Sequence, residues 1–182
     1  MGLVEKPIDL VVSGFNPYAN VGHDLTYSGT VTAAMEASIA GIPAIAFSID
    51  QDASSEGPHE PDYASAAAVA ARITRLLLQN HLPPKVLLNV NIPNRPLDQI
   101  GGYRITRQGL RIYRDALDER RDPRGRPYYW IGGDAPTGVI EEGSDIGALA
   151  GGFVSITPIQ LDLTAHHLLP EIRGWDWGSL DA

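Results

Sequence analysis

Cysteine is absent from all 182 residues, which excludes disulfides and thiolate-bound metals and fits a reducing compartment. No apolar run approaches the roughly 20 residues needed to span a bilayer. The opening stretch, MGLVEKPIDLVVSG, has neither the basic start nor the small-residue cleavage site of a secretion signal. A cytoplasmic location is therefore the expectation. Familiar signatures are missing too. The chain has no P-loop lysine pattern, no G-x-G-x-x-G fingerprint and no G-x-S-x-G elbow, which argues against ATP, dinucleotide and α/β-hydrolase readings. Net positive charge is lacking as well: the formal charge is −8, against general nucleic-acid binding.

What is present is ordinary in bulk. At 43% hydrophobic and 20% charged, the composition is that of a globular chain long enough for a real core. Charge is unevenly spread. Residues 104–126 hold eight of the twelve arginines against four acids, so that stretch is +4 and the remainder −12. It reads as a solvated arm with local ion pairs, or as an arm that meets an acidic neighbour or an anionic ligand.

Short apolar runs and helical periods alternate in the first half. Ile8 to Val12 reads as a strand covered on both faces. Ser28 to Ala40 reads as a helix, with Ser28 as N-cap and Gly41-Ile42-Pro43 as its end. Ala44 to Ser48 is a second strand. A second helix starts near Pro61-Asp62 and runs to about Asn80, with one apolar face, and Val86 to Val90 is a third strand. The pattern predicts an α/β, Rossmann-like three-layer core over residues 1–96. Residues 97–182 change texture. Tyr103 to Thr106, Leu110 to Tyr113, Tyr128 to Gly132 and Gly152 to Thr157 read as strands of antiparallel hairpins. Tyr128, Tyr129 and Trp130 would expose much apolar surface without a cover, for which a partner subunit is one candidate.

Between the first strand and the first helix lies a loop rich in Gly, Asn and Ser, Val11 to Thr30 reading VVSGFNPYANVGHDLTYSGT. In open α/β sheets ligands sit beyond the carboxyl ends of strands. Ser28-Gly29-Thr30 opens a helix, where free N–H groups and the dipole favour an anion. Asn16 and Asn20 offer amide oxygens suited to a hard cation such as Mg²⁺ or Mn²⁺. The loop is thus either plain turn architecture with a helix cap or a phosphate site with an adjacent metal.

The run from Asp9 to Ser48 resembles the signature of the SurE family, the survival-protein 5′/3′-nucleotidases. Leu88 to Pro93 (LNVNIP), Thr106 to Gly109 (TRQG) and Gly151 to His166 agree with that family as well. The resemblance implies a Rossmann-like domain with a C-terminal β-hairpin extension over residues 97–182 used in oligomerisation, as a homodimer or homotetramer. It implies hydrolysis of nucleoside monophosphates with a divalent metal ion, Mn²⁺ or Mg²⁺; the net charge and the lack of a long apolar run already argue against nucleic acid and membrane as partners. By matching, Asn16 is the metal ligand, while Asn20, Ser28, Gly29 and Thr30 line the phosphate site. The catalytic residue is not assigned.

Two departures stand out. Tyr18 occupies a position where the family usually has glycine, which alters the local loop path. The family's Asp-Asp metal pair has no counterpart here, and Asp50 and Asp52, near a strand end, do not match it. Amide and hydroxyl oxygens alone bind a dication weakly. Two expectations follow: a nucleotidase chain lacking its N-terminal segment, or a non-catalytic remnant with weak phosphate affinity. Elsewhere Asp24 reads as a loop-bracing acceptor beside His23, Asp162 and His166 as a structural i, i+4 pair, and Glu36 as packing or capping.

Overall fold

The computed structural model describes residues 6–51, 60–113, 115–133 and 137–178. In chain order they form β1 (Val11–Asn16), α1 (Gly29–Ile39), β2 (Ala44–Asp50), α2 (Tyr63–Gln79) and β3 (Val86–Pro93). Beyond these come β4 (Tyr103–Ile105), β5 (Arg111–Ile112), β6 (Asp115–Arg121), β7 (Pro127–Gly133) and β8 (Thr137–Gly138). The chain closes with α3 (Asp145–Ala150), β9 (Val154–Gln160) and α4 (Leu169–Arg173). Asp52 lies outside the described residues.

A five-stranded sheet in the order β1-β2-β3-β9-β4 organises the molecule. β1, β2 and β3 are parallel, with α1 and α2 in the two crossovers. β9 runs antiparallel to β3, and β4 is parallel to β9. β2 alternates its side chains between two cores. Ile45, Phe47 and Ile49 meet Ala66, Val69, Ala70 and Ile73 of α2. Ala44 and Ala46 face Val31, Ala34 and Ala37 of α1, and small residues on both sides let that helix lie close. Helix, sheet and helix make the expected three-layer α/β arrangement, and both helices begin where their caps place them. Ser28 Oγ accepts from Val31 N–H at 3.2 Å, and Asp62 Oδ1 from Ser65 N–H at 3.0 Å.

The strand expectations need three corrections. The first strand is displaced: it starts at Val11 rather than Ile8, which is 45% exposed. It is also the sheet edge, with Val12 50% exposed, rather than a run covered on both faces. Tyr103 to Thr106 and Gly152 to Thr157 do not make hairpins. β4 and β9 join the central sheet, so its strands extend beyond Pro96. Apolar residues on both faces of β9 (Val154 and Ile159) explain this, because a two-stranded hairpin covers only one face. β6 and β7 do form an antiparallel hairpin, and β5 pairs antiparallel with β8.

On the α1 side the sheet turns polar toward the carboxyl ends of β2 and β3. Ser48, Asn89, Asn91, Ser155 and Thr157 are all buried there, with Asn91 beside Ser48 and Ser155. Buried polar groups need partners: the loop after β1 supplies those of Ser48, Asn89 and Asn91, and Thr106 supplies those of Ser155 and Thr157.

Candidate functional site

β1 carries an irregularity that sets up the site. Ser13 pairs with Ala46, but Asn16 pairs with Ser48, so one extra residue is accommodated between them. Gly14 allows it: its φ is +126°, and a Cβ there would run into the Phe47 carbonyl oxygen. Phe15 packs toward Phe47 with ring centroids 5.8 Å apart, and Asn16 ends the strand. Its Nδ2 donates to the Tyr18 carbonyl, which leaves Oδ1 as its oxygen for a ligand.

Asn20 locks the loop onto the polar face of the sheet. Its backbone N–H donates to Asn91 Oδ1 at 2.7 Å, and its carbonyl accepts from the Nδ2 groups of Asn89 and Asn91 at 2.9 Å each. Its side-chain Nδ2 donates to Ser48 Oγ at 2.6 Å. Four bonds at one buried residue make Asn20 a clamp. Two residues later the chain turns through Gly22, at φ +53°, where a Cβ would meet the Gly109 carbonyl oxygen at 2.8 Å.

Asp145 holds the other side of this turn. It is fully buried at the start of α3. Oδ2 accepts from Gly22 N–H, and Oδ1 from the N–H groups of Gly109 and Ile146, all at 2.8 Å. Gln108 Nε2 donates to the Gly22 carbonyl at 3.1 Å. The TRQG stretch therefore serves as a bracket for the site loop. Asp24 faces Arg111, with Oδ2 3.2 Å from Nε. Burial pushes the Asp24 carboxyl above its ordinary range; Arg111 opposes that shift, and neighbouring Asp145 reinforces it.

Together these elements enclose an open cleft of about 670 Å³ lined by Asn16, Tyr18, Asn20, Asp24, Ser28 and Arg111, among others. Three of the expected site residues, Asn16, Asn20 and Ser28, thus share one cleft. Gly29 and Thr30 continue from Ser28 as the first turn of α1 and do not line it. Nothing lies within 4 Å of a Cβ built on Gly29, so the helix start is open to an approaching group. The Ser28 oxygen is engaged as a cap acceptor, and its O–H remains able to donate.

Of the other singled-out residues, Asp24 lines the cleft, and His23, Glu36, Asp50, Asp162 and His166 are not among its lining residues. His23 is exposed, with its carbonyl accepting from Thr26 Oγ1. Asp24 makes an ion pair with Arg111 in place of the expected hydrogen-bond acceptance within the loop. Asp162 and His166 do pair, Nε2 to Oδ2 at 2.6 Å, beside a different groove. Glu36 is exposed on α1 and makes no side-chain hydrogen bond or ion pair among the described residues, so its expected packing or capping is not seen. Asp50 lines a neighbouring cleft.

Sequence reasoning missed Asn89, Asn91 and Asp145. The available signal was polar residues inside an apolar strand, LNVNIP, and a Ser-Asp pair before a helix.

The donor set does not fit a dication by itself. Hard divalent ions take six or more oxygens, usually with carboxylates. Here Asn16 offers one amide oxygen, and the lining carboxylate, Asp24, is paired with Arg111. No group of three or more His, Cys, Asp or Glu with metal-binding geometry occurs among the described residues.

Fold and cleft together define an α/β protein with an oxygen-lined, anion-competent loop at the carboxyl end of its edge strand. The family described as Survival protein SurE matches residues 1–115. The chain is 47% identical over 177 residues to the 5′-nucleotidase SurE of Chloroflexus aggregans, covering 97% of this chain and 68% of that protein. It is 46% identical over 172 residues to the 5′-nucleotidase SurE of Geobacter metallireducens, covering 94% and 66%. The crystal structure of the SurE protein from Aquifex aeolicus superposes with a TM-score of 0.75 at 41% identity, over 93% of this chain and 66% of that one. The chain belongs to the SurE family, and it spans about two thirds of the length of these relatives.

Proposed function

We propose that this protein is built as a phosphomonoester hydrolase of nucleoside 5′- and 3′-monophosphates, with the described cleft as its phosphate-holding part and turnover dependent on carboxylates that complete an ion site beside it. The observation that carries the reading is the convergence of Asn16, Asn20 and Ser28 on one cleft beside the start of α1. The 5′-nucleotidase SurE relatives supply the substrate class. In this reading the Ser28 O–H and the N–H groups of Gly29 and Thr30 donate to phosphate oxygens, with the helix dipole adding to the attraction. Asn20 orients the loop, and Asn16 supplies one oxygen toward a divalent ion, Mn²⁺ or Mg²⁺. A full ion site needs carboxylates from outside the described residues. The reading includes a cytoplasmic location. It also includes self-association through the β6–β7 hairpin, whose Tyr129 and Trp130 are 53% and 60% exposed. No helix among the described residues is long and apolar enough to cross a membrane.

The test is calorimetric titration with adenosine 5′-monophosphate, followed by phosphate release with Mn²⁺, with and without chelator. The 182-residue chain is expected to bind the nucleotide, to bind it more weakly in Ser28→Ala, and to release little or no phosphate. Absence of binding overturns the reading. Robust, chelator-sensitive turnover would show that this chain itself supplies the carboxylates that complete the ion site.

A further inference from the structure

Arg111 sits where two clefts meet. It lines the cleft of Asn16, Asn20 and Ser28, and also a neighbouring one of about 530 Å³ that includes Asn94 and Arg95. β5 carries it, fixed by antiparallel pairing of Arg111 with Gly138 of β8. The backbone behind it is tightly packed, since a Cβ on Gly22 would come within 3.2 Å of Arg111 N. The side chain is 22% exposed. Its Nε is buried and has no aligned acceptor among the described residues. Asp24 Oδ2 stands 3.2 Å from Nε, close enough for charge attraction but outside hydrogen-bond geometry.

A guanidinium has five N–H donors in a rigid plane, and a largely buried arginine kept only for structure spends them on carbonyls and carboxylates. Arg111 spends none in an aligned hydrogen bond among the described residues. Its ion-pair partner among the described residues is Asp24, a carboxylate that burial and Asp145 both disfavour as an anion. The cation is therefore held in place and incompletely satisfied, facing a cleft whose other wall ends in the start of α1.

We propose that Arg111 is the residue that recognises the substrate's phosphate charge, with Asp24 holding the guanidinium toward the cleft. The proposal rests on the phosphomonoester reading above and deepens it: Ser28 and the α1 N–H groups supply neutral donors, and Arg111 supplies the charge. Planar, bidentate N–H donation suits two oxygens of one phosphate, which a lysine ammonium cannot match. Its position between the clefts also lets the rest of the substrate extend either way from the bound phosphate.

The experiment is calorimetric titration of the full chain with inorganic phosphate, in chelator, at two salt concentrations. Wild type, Arg111→Lys, Arg111→Ala and Ser28→Ala are compared, each with a thermal melt. Arg111→Ala is expected to weaken phosphate binding by about tenfold or more, the scale of one charge-assisted hydrogen bond, and to flatten its salt dependence. Arg111→Lys is expected to melt with wild type and bind with intermediate affinity. Unchanged phosphate affinity in Arg111→Lys and Arg111→Ala, with Ser28→Ala weakened, overturns the role of Arg111 and leaves the cleft reading intact. An Arg111→Lys protein that melts early and binds as tightly as wild type assigns the residue to structure and also overturns the proposal. No phosphate binding by wild type removes both.

Discussion

At the residue scale, buried amides and one buried carboxylate do the shaping. Asp145 accepts from three backbone N–H groups, those of Gly22 and Gly109 in two distant loops and of Ile146 in its own helix. Asp145→Ala leaves those donors unpaired in the interior and is expected to cost about 2–4 kcal/mol of stability in urea unfolding. Asp145→Asn keeps the shape and one acceptor oxygen, so its loss should be clearly smaller. Equal losses would mean that volume rather than hydrogen bonding sets the penalty. Asn89 and Asn91 act on Asn20 in the same manner. In sequence they interrupt an apolar strand for no local reason, because their partner lies about 70 positions away. That is why the clamp was illegible before the fold was known. Asn16, Asn20 and Ser28 were legible, since a loop of small and polar groups between strand and helix already marks a sheet rim.

At the element scale, α1 and α2 announce themselves through caps and periodicity, which are local. Asp62 caps α2 by accepting from both the N–H and the O–H of Ser65. These bonds, with the hydroxyl contribution first, hold the Asp62 carboxyl below its ordinary value of 3.8. An acid with a lowered folded value stabilises the fold above its unfolded value, and that contribution disappears as pH falls through the folded one. Wild type is therefore expected to lose an increment of thermal stability below about pH 3.8. Asp62→Asn retains a cap but should lack that increment; identical pH profiles for the two proteins would remove the cap's charge from the account. Strands behaved differently. β1 was displaced because its polar half, Ser13 to Asn16, gains strand geometry only by pairing with β2. β4 and β9 depart from the hairpin expectation because the pairings of β9 with β3 and with β4 span distances that no window of sequence covers.

At the scale of the whole molecule, the two-stranded β6–β7 ribbon stands apart from the central sheet. Leu117, Tyr129 and Trp130 are each more than half exposed on it, and an isolated ribbon with that much uncovered apolar surface is marginal in water. Its cover is expected to be a second copy. A Tyr129→Glu/Trp130→Glu double variant should shift the molar mass in light scattering to a smaller species, with the central sheet's far-ultraviolet signature retained. An unchanged mass would exclude the ribbon as the contact. The arginines at 120, 121, 124 and 126 belong to this same ribbon and its turn, where Asp118 and Glu119 pair locally with Arg120 and Arg121.

β9 lies between β3 and β4, yet about 60 residues separate the end of β3 from its start. At roughly 5–20 residues per second of synthesis, a nascent chain holds β3 as an open, largely hydrophobic border for several seconds before its neighbour is made. The newborn protein is thus most vulnerable to sticking while only its parallel half exists. A chaperone that shields strand borders would have that interval, and no later one, in which to act on it.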